Sequence, residues 1–451
     1  MGPKPAGSGV DPGRKSGLHY GYVILAVGFL VVTGALGFAR FGYATILPSM
    51  KVGLSLSNTQ MGLIASGNLI GYASFSLIGG FLAARFGPRL VIGGSMLLAG
   101  ATMFLTGTAG GFGQAVALRF LTGLGSAGSN VPVMGLVSAW FAPRRRGMAA
   151  GILVGGSGMG FLVTGFLVPR LVAAWPGEGW RLSWFALGGA VFLIGLLAAL
   201  FLRNRPSEKG LASIGEFPAV PSPPPRTPVA GANEGPGAGT GNSRPHASGD
   251  GRTVSWGSVY ASPALWHLGT VYLFFGFSYI IYGTFFCEAM VADKGFSQSQ
   301  AGAVWSLVGL MGIFSGILWG SASDHIGRRP ALAAIFALQA FCYFLFATAH
   351  TSQVLYLSAV LFGLTAFSIP GVVAAACGDY VGPRLAPAAL GMVTLFFAVG
   401  QALAPAVAGL MADLTSTLSH AFLLAAAVAA LGAAGSLTLR PPGAQIDRHP
   451  G

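Results

Sequence analysis

Charge is what this sequence has least of. Only 8% of its 451 residues are Asp, Glu, Lys or Arg, and acids are the scarcer sign, 12 against 25 bases. A soluble chain carries roughly 25% charged residues, so this composition cannot clothe a water-facing surface. Cysteine is almost missing as well. Cys287, Cys342 and Cys377 stand without C-x-x-C spacing, imply no disulfide framework, and read as packing residues. There is no G-x-S-x-G, no H-E-x-x-H and no carboxylate pair inside an apolar run, so no enzyme is expected and no cofactor or metal is called for. Residues 1–18 lack the apolar core of a cleaved signal peptide; the first apolar run is expected to direct insertion itself.

What is abundant is apolar: 53% of the chain, with a mean hydropathy of +0.69. Apolar runs fall at about 20–47, 59–83, 90–109, 113–140, 147–173 and 182–202. They resume at about 264–287, 298–323, 331–349, 353–378, 387–412 and 419–439. Each is long enough to cross about 30 Å of hydrocarbon as a helix. The fold class expected is an all-α membrane protein with twelve transmembrane helices, and its first partner is the lipid bilayer. Soluble enzymes, nucleic-acid readers and disordered scaffolds are excluded. The formal charge of +13 does not signal nucleic acid, because the bases sit mostly in short gaps between apolar runs.

Between the sixth and seventh runs the composition changes to Pro221, Pro223, Pro224, Pro225 and GANEGPGAGTGNS. Such a segment cannot bury a core. It divides the chain into a tail (1–18), a six-helix half (19–202), a disordered linker (203–254), a second half (255–439) and a tail (440–451); a partner-binding role is the linker's alternative. The halves repeat: one ungapped shift of 240 positions carries Gly62 to Gly302, Gly80 to Gly320, Gly87 to Gly327, Arg89 to Arg329, Gly123 to Gly363 and Gly160 to Gly400. With both termini inside, the inner short loops hold Arg85, Arg89, Arg144, Arg145, Arg146, Arg328, Arg329 and Arg384, whereas the outer ones hold only Lys51, Arg170, Arg181 and Lys294. This asymmetry predicts an N-in, C-in protein.

Two loops carry a family resemblance. Gly320, Asp324, His325, Gly327, Arg328 and Arg329 resemble the G-x-x-x-D-r-x-G-r-r loop of the major facilitator superfamily, and Gly80, Ala84, Arg85, Gly87, Pro88 and Arg89 give a degenerate copy. The fourth run adds Arg119, Gly123 and Gly125 in the superfamily's R-x-x-x-G-x-G pattern. The segment Gly37-Phe-Ala-Arg40-Phe-Gly42-Tyr43-Ala-Thr-Ile-Leu-Pro48 looks like the first helix of the YbfB/YjiJ-type branch. The resemblance implies a monomeric secondary transporter in the cell membrane, the inner membrane in a bacterium. It also implies a substrate site near the midplane between the halves. Gly80, Arg85, Arg89, Gly320, Asp324, Gly327, Arg328 and Arg329 would form a loop clamp that helps set the balance of two states.

Few ionisable groups fall deep in the runs. Arg40 and Arg119 do, and an arginine at the bilayer centre costs at least about 3 kcal/mol unless it faces a cavity or a partner. None of the 12 acids lies so deep; Glu288, Asp379 and Asp413 fall at run ends and read as solvated or bound to nearby amides. Buried cations without buried anions leave a positive cavity that an anionic solute would neutralise, and a guanidinium fork suits a carboxylate. Helical spacing places Tyr43 one turn from Arg40, sets Ser126 and Asn130 on the stripe of Arg119, and pairs Asn68 with Tyr72. Aligning Gly37 with Gly276 puts Tyr279 opposite Arg40, with Tyr282 a turn beyond, and Trp305 or Phe367 offers an apolar wall.

The function expected is transport of a small organic anion by alternating access, with a co-transported proton left open. The rivals are proton-coupled efflux of amphipathic drugs and a non-transporting membrane sensor.

Overall fold

The computed structural model describes residues 19–215, 257–349 and 351–440. Its first six long helices are α1 (Tyr20–Leu54), α2 (Asn58–Phe86), α3 (Pro88–Thr106), α4 (Phe112–Trp140), α5 (Pro143–Ala174) and α6 (Gly179–Phe201). The other six are α7 (Pro263–Ala292), α8 (Gln298–Ile326), α9 (Arg328–Thr348), α10 (Ser352–Gly382), α11 (Leu385–Thr415) and α12 (Ser419–Leu437). Among the described residues ten of these helices are long and apolar enough to cross a membrane, and α2 is an eleventh across a bend. The twelfth, α4, runs for 29 residues; Arg119, Ser126 and Ser129 lower its apolarity but are buried against neighbouring helices.

Local signals repeat between the halves. Ser57 and Gln60 form a capping box that starts α2, and Ser297 and Gln300 do the same for α8. The loop glycines Gly87 and Gly327 both take a positive φ, 88° and 89°, where a side chain would be strained. Close packing repeats as well. A Cβ on Gly123 would lie 2.0 Å from the Asn68 carbonyl oxygen, and one on Gly363 would lie 2.7 Å from that of Val308. The shift of 240 that links the two glycines also links Asn68 to Val308. Small residues let these backbones touch, as close helix pairs in lipid require.

The linker expected over 203–254 begins later than its composition suggests. Residues 206–209 form a 3₁₀ turn. Ile214 then bridges the end of α4, accepting from Ala142 N at 3.0 Å and donating to Trp140 O at 2.9 Å. This stretch belongs with the first half, because buried Ile214 seats on Gly21 of α1. Residues 216–254, and with them the proline run, lie outside the described residues, as do the tails 1–18 and 441–451.

Along the seam between the halves, helices α2 and α5 face α11 and α8. At the end away from the termini this seam is shut: a Cβ on Gly62 would meet the Pro405 carbonyl oxygen at 2.0 Å, and one on Gly165 that of Gly302 at 2.3 Å. At the end where Tyr20 begins α1 and Leu437 finishes α12, Gly80, Gly151, Gly320 and Gly391 have no neighbour among the described residues within 4 Å of such a Cβ. The bundle is therefore closed at one end and parted at the other.

Candidate functional site

The middle of α1 is not a regular helix. Thr33–Phe41 winds as a π-helix, a wider turn that displaces carbonyls from the usual ladder. Its sequence TGALGFARF allows this, since Gly37 sits directly on Gly160 of α5 with no room for a side chain. Side chains of α4 take up displaced carbonyls. Ser126 Oγ donates to Ala35 O, and the Arg119 guanidinium donates to Ala39 O at 2.5 Å and Arg40 O at 3.4 Å. One turn along α4, Gly123 brings α2 close enough for Asn68 Nδ2 to donate to Arg119 O at 3.1 Å. Arg119 also lies over the rings of Tyr43 and Trp184, 5.2 and 5.1 Å from their centres. At 1% exposure it braces the irregular turn, with its Nε left unpaired.

Arg40 leaves that turn with fewer ties. One of its terminal nitrogens donates to the Tyr279 hydroxyl of α7 at 2.6 Å, a contact between the halves. Its guanidinium carbon stands 5.2 Å from the Phe41 ring centre and 5.3 Å from that of Tyr72. Its Nε is buried without a partner. Among the described residues neither Arg40 nor Arg119 forms an ion pair with a carboxylate.

These two arginines line a cavity with Phe41, Tyr43, Ala44, Ala65, Asn68, Leu69, Ile280, Gly283 and Thr284. Its volume is about 10 Å³, room for about one water. In this state the cavity is collapsed between α1, α2, α4 and α7.

The remaining expected site residues divide into neighbours and distant groups. Tyr43 lines the cavity, but its hydroxyl donates to Met61 O at 3.0 Å. Tyr72 and Asn130 form a second layer beside Arg40: Asn130 Nδ2 donates to the Tyr72 hydroxyl at 2.8 Å, and Asn130 Oδ1 is buried without a partner. Ser126 stands behind α1. Trp305 stacks flat on Phe161 at 4.5 Å in a ring cluster with Phe41, Phe286 and Phe367, and its Nε1 has no acceptor. Tyr282 is elsewhere. Its hydroxyl meets Ser358 Oγ at 3.0 Å among rings of the second half, so it does not line the cavity. The spacing also missed a group: Tyr272 and Phe275 stack on each other and on Phe397 of α11, and Phe275 stacks on Tyr279. Their positions on α7 lie on one helical stripe, which was the available signal.

The shut end carries a second correction. Glu288, expected to be solvated or amide-bound, is 3% exposed and pairs with Lys51 across the halves at 2.7 Å. Lys51 Nζ also donates to Asn58 Oδ1 at 2.8 Å. Gln298 of α8 accepts from Ser49 Oγ at 2.6 Å and donates to Thr45 O at 2.9 Å. Asp413 of α11 accepts from the N–H groups of Asn58 and Thr59 at 2.9 and 2.8 Å, capping α2 of the other half.

The loop motif lies at the parted end and binds within its own half. Arg328 donates to Asp324 and Ser323 at 2.6 Å and to Asp379 at 3.1 Å, joining α8, α9 and α10, with Gly320 one turn before Asp324. Arg329 donates to Leu437 O, as Arg89 Nε donates to Ala199 O at 2.8 Å in the first half. With Ala84 and Pro88 in place of Asp324 and Arg328, the first half has no such ion cluster among the described residues; Arg85 lies over Phe86 instead.

The sequence profile of the Major Facilitator Superfamily matches residues 29–287, and that of the uncharacterised MFS-type transporter YbfB matches residues 245–437. The "Probable sulfoacetate transporter SauU" of Cupriavidus necator is 26% identical over 89% of this chain and 90% of its own. The hexuronate transporter of Bacillus subtilis is 24% identical over the same shares. The 4-hydroxybenzoate transporter PcaK of Pseudomonas putida is 26% identical over 70% of each. In fold, a bacterial homologue of the lysosomal transporter Spinster, solved in an inward-facing and unoccupied conformation, superposes with a TM-score of 0.72 at 16% identity, covering 94% of this chain and 97% of its own. The duplicated six-helix halves, the loop motif and the profile match agree: this chain is a multi-pass membrane transporter of the Major Facilitator Superfamily.

Proposed function

We propose that the protein carries a small organic anion across the membrane by alternating access, with the solute's carboxylate anchored on Arg40. One observation carries this reading: a guanidinium buried at the seam has no carboxylate among the described residues, and its Nε lacks any partner. An unneutralised buried charge is costly, so a carboxylate that enters the cavity gains what the protein withholds. The sulfoacetate, hexuronate and 4-hydroxybenzoate named for the relatives are all organic anions, which supports the same choice.

The basic loop residues share one end with both termini, which supports an N-in, C-in orientation. On that orientation the parted end faces the cytoplasm and this state is inward-facing. The carrier acts as a monomer, because the two halves of one chain complete the cavity. A co-transported proton has a place to act at Glu288, where protonation would free Lys51 and loosen the shut end.

The test is uptake of labelled carboxylates into proteoliposomes holding purified protein. Wild type should concentrate or equilibrate the anion, and Arg40→Gln should not. Uptake with unchanged affinity in Arg40→Gln would remove Arg40 from the role.

A further inference from the structure

The surroundings of Arg40 narrow the kind of anion, a step that rests on the anion reading above. Polar groups near the guanidinium are largely committed to the protein itself. The Tyr43 hydroxyl is spent on Met61 O, Asn68 Nδ2 on Arg119 O, and the two terminal Arg119 nitrogens on the carbonyls of Ala39 and Arg40, which leaves the Arg119 Nε unpaired. The rest of the wall is Phe41, Ala44, Ala65, Leu69, Ile280 and Gly283, with Thr284 the remaining hydroxyl. A polyhydroxylated acid stripped of water here would leave several hydroxyls unpaired, and each lost hydrogen bond weakens binding.

Aromatic faces, by contrast, flank Arg40 on two sides. The stack of Phe275, Tyr279 and Phe397 lies along α7 and α11, with ring centres 4.5 to 5.8 Å apart and planes within 15°. On the other side Phe41 leads into Phe161, Phe367 and Trp305, drawn from both halves. Rings from separate helices part when the seam opens, and a flat solute then finds faces on which to stack. Within this cluster the Trp305 Nε1–H is fully buried and has no acceptor. A buried donor left unpaired is unfavourable, and this one, like the Arg40 Nε, is free to take an oxygen.

We infer that the solute is an aromatic monocarboxylate, its carboxylate on Arg40 and its ring against Phe41 and Phe161, with a ring hydroxyl accepting from Trp305. The Arg40 guanidinium carbon lies 5.2 Å from the Phe41 ring centre, and Phe161 and then Trp305 continue the cluster from that ring.

The experiment is competition binding to purified full-length protein in detergent or nanodiscs, using benzoate, 4-hydroxybenzoate, glucuronate, glucarate and sulfoacetate. The expected order puts 4-hydroxybenzoate first, benzoate about tenfold weaker, and the hydroxylated acids and sulfoacetate at least about a hundredfold weaker. Trp305→Phe should erase the tenfold advantage of the hydroxylated ring, so that benzoate and 4-hydroxybenzoate bind alike, and an unchanged melting temperature shows that the variant is folded. Glucuronate, glucarate or sulfoacetate binding as tightly as benzoate, and losing it in Arg40→Gln, would overturn the aromatic assignment and leave the anion reading standing. Absence of binding by every carboxylate would overturn both. Equal loss of benzoate and 4-hydroxybenzoate in Trp305→Phe would overturn the role given to that indole.

Discussion

The two ends of the seam between the halves are built from equivalent residues, yet they are in opposite conditions. At the shut end Gly62 meets Pro405 and Gly165 meets Gly302, two contacts related by the same shift of 240. At the parted end Gly80, Gly151, Gly320 and Gly391, also paired by that shift, meet none of the described residues within 4 Å of where a Cβ would sit. Glycine is placed at both ends because each is shut in turn, and the end that is open here shows what the other looks like after the halves rock. The polar contacts differ more than the packing does. Cross-seam ionic and cap bonds from Lys51, Glu288, Gln298 and Asp413 gather at the shut end, whereas the Arg328 cluster of the parted end stays inside its own half.

Arg40 sits at the inner limit of the shut region, so changes there should have the largest effect. Arg40→Gln should weaken binding of the preferred carboxylate about a hundredfold, since it removes a charge-assisted contact in a dry site; isothermal titration reads it directly. Next comes Glu288→Gln, which leaves the Lys51 ammonium facing a neutral amide. Halving a buried ion pair costs about 3–5 kcal/mol, reduced here because Lys51 is 27% exposed. The population should move toward opening of the shut end. Spin labels at Val52 and Leu414, exposed positions on opposite halves, should then report longer distances.

A smaller change tests the packing alone. Gly165→Ala should disfavour the shut end, because its Cβ would overlap the Gly302 carbonyl, while Gly391→Ala leaves this state untouched. Equal effects of the two on the label distances would break the comparison. The smallest effect is expected for Asp413→Ala, which deletes the cap on α2 at an exposed site and should cost about 1 kcal/mol. A modest fall in melting temperature is the readout.

Much of this architecture was legible in the order of residues. Apolar runs give helices because each must satisfy its backbone inside lipid, and aligning Gly37 with Gly276 already set Tyr279 opposite Arg40, now 2.6 Å from it. What stayed hidden depends on how deep a residue sits once helices pack. Glu288 read as a span-end acid, but α1 of the other half covers it and supplies Lys51. Arg119 read as a possible solute contact, but the π-turn of α1 exposes carbonyls that claim it, and no local signal announces such a turn. Tyr282 shares the apparent face of Tyr279, yet it turns into the second half because Ser358 and Phe362 meet it there.

The account depends most on the cargo supplying the charge that Arg40 lacks. Its most direct measurement is carboxylate affinity against that of the matched uncharged amide, in wild type and in Arg40→Gln. Wild type should prefer the acid strongly, and the variant should bind acid and amide alike. A wild type that binds both equally, or a variant that keeps the preference, would contradict it.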